Sequence, residues 1–171
     1  MNPINEADTG IFISATPLIQ ILKTAECPSL SSRSTLTYHI GANMENNALE
    51  ELYFQISHNT GKGLFNKDWI PVSAIREVFE RLPEAAAVTS ISLNPIFTGK
   101  STNSSGFLLA VLKAEGLVII QEGKRRSYQR TTSDAFVEQM KRLIDIGESS
   151  QSTIKSKKST NPPRKPIQAN T

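Results

Sequence analysis

Lys124, Arg125 and Arg126 stand in a row directly after Glu122-Gly123, so three cations share one turn-like segment. Long side chains on a turn reach outward at little packing cost, and phosphates are the groups such a set suits. Just upstream, residues 102–113 read as a helix whose apolar face is Phe107, Leu108, Val111 and Leu112. The opposite face then presents Thr102, Asn103, Ser105, Leu109 and Lys113. Asn and Lys can hydrogen-bond base edges in a major groove, whereas Leu109 is an odd residue to expose. Lys100 with Ser101 at the start of that helix suits a backbone phosphate. The chemistry on offer is polyanion binding.

Other chemistries fit worse. Gly99-Lys100-Ser101-Thr102 matches the end of a phosphate-binding loop, but the motif needs glycine five residues before Gly99, and Asn94 stands there. His39, His58 and Cys27 have no metal-ligand spacing, and a single cysteine cannot form an internal disulfide. No glycine-flanked nucleophilic serine is present, and the adjacent carboxylates of Glu50 and Glu51 fall on opposite faces of a strand. No enzyme, cofactor or metal is expected.

The segment Leu109-Ala110-Val111-Leu112-Lys113-Ala114-Glu115-Gly116-Leu117-Val118, followed by Glu122 through Arg130, resembles the recognition helix and wing of winged helix-turn-helix proteins. The resemblance covers roughly 30 residues directly, and about 75 if Ser73–Leu82 is a first helix and Val88–Leu93 a first small strand. It departs from the family at Asn94-Pro95-Ile96-Phe97-Thr98-Gly99-Lys100, which is short for the second helix. It implies duplex DNA binding and adds Tyr128 and Arg130, which close the basic hairpin, to the contact set. Winged domains also serve as protein-binding adaptors, a solvated basic turn is common, and RNA is a further polyanion.

Charge runs the same way. Residues 1–99 hold 6 Lys+Arg against 10 Asp+Glu, residues 100–146 hold 8 against 5, and residues 147–171 hold 5 against 1. An acidic first half and a basic second half predict that the second half meets nucleic acid while the first faces away.

The elements that must position these residues follow from periodicity. Thr16-Pro17 reads as a helix start, with Leu18, Ile21, Leu22 and Ala25 at helical spacing up to Cys27-Pro28. Leu36, Tyr38 and Ile40, then Leu52, Phe54 and Ile56, alternate as half-buried strands, and residues 64–72 supply a third. Helices follow at Ser73–Leu82, before Gly116, and from Ser133 with Phe136, Val137, Met140, Leu143 and Ile144 inward. The fold class is α+β. An N-terminal helix and a three-stranded antiparallel meander (residues 16–72) precede a winged-helix-like domain (73–146). Residues 1–15 read as flexible, and from Gly147 a disordered basic tail is expected, its cations available as a mobile arm. The sheet of residues 34–72 is the expected surface for a homodimer or a protein partner. With no signal-like start, one cysteine and no apolar run near the roughly 18 residues of a membrane span, the chain reads as cytoplasmic.

Overall fold

The computed structural model describes residues 18–45, 49 and 51–156, with side chains described to residue 147. Four strands form one antiparallel sheet in chain order, β1 (Ile19–Pro28), β2 (Thr35–Asn43), β3 (Leu52–Asn59) and β4 (Ile70–Pro71). Then come α1 (Val72–Arg81), a 3-10 helix (Ile91–Phe97), α2 (Asn103–Ala114), the pair β5 (Val118–Ile120) and β6 (Tyr128–Arg130), and α3 (Asp134–Ser156). The α+β class is as expected.

The N-terminal helix is corrected: residues 19–28 form an edge strand of the sheet. The register with β2 slips between Ile21 and Lys23, so Leu22 is an extra residue in a bulge. Before the bulge Gln20 opposes Ala42, and after it Lys23, Ala25 and Cys27 oppose Ile40, Tyr38 and Leu36. The inward set therefore changes from even to odd positions, and that switch mimics helical spacing. The meander consequently has four strands, its last only two residues long.

The sheet's apolar face is covered by the chain itself, which corrects the expectation that it stays free for a partner. Leu36, Tyr38, Ile40, Leu52, Phe54 and Ile56 belong to one core with Ile75, Leu93, Leu108, Leu112, Val118 and Met140. Phe54 stacks on Phe136 of α3 with ring centroids 5.7 Å apart. The outer face carries His39 and Trp69, 6.4 Å apart, and Gly41, where an added Cβ would lie 2.4 Å from Ile19.

In the second half, Val88 forms an isolated antiparallel bridge with Tyr128 where a strand to Leu93 was expected. Residues 91–97 wind as a 3-10 helix that contains Pro95. Its entry is fastened by reciprocal bonds between Thr89 and Ser92, and Leu93 and Phe97 are buried. α2 ends at Gly116, whose φ of 73° lets Leu117 N–H reach Leu112 O at 2.9 Å. The last helix runs 23 residues to Ser156, so the break expected at Gly147 is corrected. The expected flexible N-terminus and the tail cations beyond Ser156 lie outside the described residues. Among the described residues no helix is long and apolar enough to cross a membrane.

Candidate nucleic-acid interface

α2 is packed on both sides, with Leu108 through Leu112 buried without interruption. On the side facing the β5–β6 turn an open stripe is formed by Thr102, Asn103 and Gly106 at the start of the helix and by Lys113 two turns after Gly106. This stripe floors a groove of about 600 Å³. Arg125 and Arg126 of the β5–β6 turn line it, as do Ser29, Leu30 and Ser31 of the β1–β2 turn. The turn before the basic run is shaped by Gly123, with φ 73°, and Lys124 N–H donates to Gln121 O at 3.1 Å.

The expected contacts divide. Thr102, Asn103, Lys113, Lys124, Arg125 and Arg126 are exposed. Among the described residues none of Lys113, Lys124, Arg125 and Arg126 forms an ion pair. Asn103 gives part of its amide to the fold, Nδ2 donating to Leu64 O at 3.1 Å. Lys100 is exposed but bound to Asp68 at 3.1 Å, and that hydrogen bond leads the effects holding the Asp68 carboxyl below its ordinary range.

The outer-face placement of Ser105 and Leu109 is corrected. They are 2% and 1% exposed, and Ser105 Oγ donates to Thr102 O at 3.3 Å. Leu109 is thus no anomaly. Tyr128 is 3% exposed, held between its partners Ile120 and Val88, and its side chain meets the groove from below. Arg130 turns away, and its guanidinium donates to the carbonyls of Phe79, Pro83 and Glu84 at the end of α1. Phe79 O and Pro83 O also accept from Leu82 and Ala86 N–H, and the cation at this helix end complements the helix dipole.

Sequence reasoning missed Ser29, Leu30 and Ser31, since nothing local places a sheet turn beside a helix some 75 residues downstream. It also missed Glu115, whose buried carboxylate accepts from Tyr38 Oη and from Lys23 Nζ at 2.8 Å, tying the end of α2 to the sheet. The thiol and histidines do not converge: Cys27 faces the core opposite Leu36, whereas His39 bonds Thr24 at 2.9 Å on the outer face. Among the described residues no three His, Cys, Asp or Glu side chains gather as a metal site.

No protein-family model, curated protein or solved structure matches the chain.

Proposed function

We propose that the chain binds duplex DNA without catalysing a reaction, in the manner of a transcriptional regulator, through the open stripe of α2 and the basic β5–β6 turn. The observation carrying this reading is one groove where Arg125, Arg126 and Lys113, all free of ion pairs among the described residues, surround Thr102 and Asn103. A surface built for solubility alone has no reason to gather unpaired cations from a helix and the turn that follows it beside neutral hydrogen-bonding side chains.

The order of elements supports the winged reading. α1, the Val88 bridge, the 3-10 helix, α2 and the β5–β6 pair follow the winged helix-turn-helix sequence, with the 3-10 helix in the second helix's place and Val88 closing the small sheet on Tyr128. Duplex is favoured over single strands because the groove's aromatics, Phe107 and Tyr128, are half-buried and buried, leaving no exposed ring in it for base stacking.

The test is a titration of random-sequence duplex, single-stranded DNA and RNA at two salt concentrations, with the intact chain and a Lys124→Ala, Arg125→Ala, Arg126→Ala variant. We expect duplex to be preferred and the variant to lose at least about tenfold in affinity at low salt, with a shallower salt dependence. A folded variant that keeps full duplex affinity would remove the reading.

A further inference from the structure

The acidic first half of the chain does not spread its charge evenly. Glu45 and Glu51 belong to the connection between β2 and β3, where Glu51 accepts from Asn43 Nδ2 at 2.6 Å. The β1–β2 turn lies at the other end of β2, roughly 30 Å away for a strand of that length. That turn carries Arg33, and the neighbouring segment after β3 carries Lys62, both exposed. Among the described residues neither forms an ion pair.

These two cations sit on turns fastened to each other and to α2. Ser29 N–H donates to Ser34 O at 2.8 Å, and Ser32 holds a φ of 57° to close the first turn. Thr35 and Thr60 bond reciprocally, with Thr35 N–H on Thr60 Oγ1 at 2.9 Å and Thr60 N–H on Thr35 O at 3.0 Å. Lys62 is flanked by glycines under pressure from neighbours: an added Cβ would lie 3.1 Å from Ser34 Cβ at Gly61 and 2.9 Å from Asn103 Nδ2 at Gly63. Ser101 Oγ and Asn103 Nδ2 both donate to Leu64 O, at 2.6 and 3.1 Å. The β1–β2 turn in turn walls the groove that holds Arg125 and Arg126.

From this placement we infer that Arg33 and Lys62 form a second phosphate-binding arm, so that duplex DNA seated on α2 is gripped by the sheet-end turns as well as by the β5–β6 turn. The inference rests on the DNA-binding reading and reverses the expectation that the whole first half turns away from the ligand. Whole-segment net charge conceals it because several of the balancing carboxylates are paired or distant: Asp68 binds Lys100, Glu77 binds Arg81, and Glu45 and Glu51 lie at the far end of β2, while Glu26 faces the outer side of the sheet.

The experiment compares the intact chain, an Arg33→Gln, Lys62→Gln variant and the triple β5–β6 turn variant, each confirmed folded by thermal melting, in duplex titrations across a salt series. The glutamine pair is expected to lose at least about fivefold in affinity at low salt and to lower the log–log salt slope by about two, close to 0.9 per phosphate contact. Lys62 in the unaltered protein should also be shielded from an amine-acetylating reagent when duplex is added, as read by mass spectrometry. If the triple variant weakens binding while the glutamine pair binds as the parent does and Lys62 stays reactive, the second arm is wrong and the DNA reading survives. If the intact chain binds no duplex, both fall.

Discussion

Lys23 Nζ lies 2.8 and 2.9 Å from the two carboxylate oxygens of Glu115, a residue 92 positions away in the chain. Lys23 comes from the bulged part of the edge strand and Glu115 from the residue after α2, so this pair helps set the groove helix against the sheet. The burial is unequal, with side chains 25% and 2% exposed respectively. Removing the cation strands a carboxylate that cannot reach water, whereas removing the carboxylate leaves an ammonium that can. Lys23→Ala should therefore cost about 3 kcal/mol and Glu115→Gln, which keeps a hydrogen bond for Tyr38, about 1 to 2 kcal/mol. Urea unfolding of the two variants checks the order, and Glu115→Gln as the more damaging change would overturn this account.

The same cluster sets an alkaline limit on stability. Burial, with help from the Glu115 charge, pushes the Cys27 thiol from 9.0 up to about 11. Burial first, and the hydrogen bond to Glu115 next, raise the Tyr38 phenol well above its ordinary range. Both groups are held neutral in the fold and ionise sooner in the unfolded chain. The Cys27 contribution is thus fully present below about pH 9 and lost as pH rises through about 11, while the Tyr38 contribution starts to fall above its ordinary value of 10.0 and goes on falling at higher pH. Urea midpoints at about pH 7, 9 and 11 should fall steeply over the last interval, and less steeply in Cys27→Ala. A midpoint that rises with pH there would contradict the burial of both groups.

Legibility in the sequence tracked how local each determinant is. β2 and β3 were readable because Leu36, Tyr38, Ile40 and Leu52, Phe54, Ile56 keep strict alternation with one face in the core. β1 was not, because the extra residue at Leu22 changes the inward parity within the strand. The basic turn was readable from composition and from Gly123. The depth of α2 was not: a helix flanked by both the sheet and the 3-10 helix buries Ser105 and Leu109 as well as its apolar face. For Arg130 the charge was visible, but the carbonyls that use it belong to residues 46 to 51 positions upstream.

Arg125 and Arg130 should consequently respond in opposite ways to the same substitution. Arg130→Ala unpins three carbonyls at the end of α1 and should lower stability by about 1 to 2 kcal/mol, discounted for partial exposure. Its duplex affinity, measured well below the melting temperature, should stay near the parent value. Arg125→Ala should leave the melting temperature unchanged and weaken binding. Melting curves and duplex titrations on both variants test this, and a loss of affinity in fully folded Arg130→Ala would return that residue to the interface.

Gly106 separates what the fold requires from what the ligand requires. It occupies the fourth position of a 12-residue helix and lines the groove, and a Cβ built there meets nothing within 4 Å. Glycine in a helix is less favourable than alanine by about 1 kcal/mol, so the chain carries an instability that no internal contact explains. A ligand brought close to the helix backbone would explain it, since a methyl group at that point would hold the ligand off the stripe between Asn103 and Lys113. Gly106→Ala should then raise stability by about 0.5 to 1 kcal/mol while lowering duplex affinity, and Gly106→Leu should lower affinity further without unfolding the chain. Thermal melts paired with duplex titrations give both numbers. If Gly106→Ala is stabilised and binds as tightly as the parent, the ligand does not approach α2 at that depth, and the cations of the rim must hold it without contact along the helix.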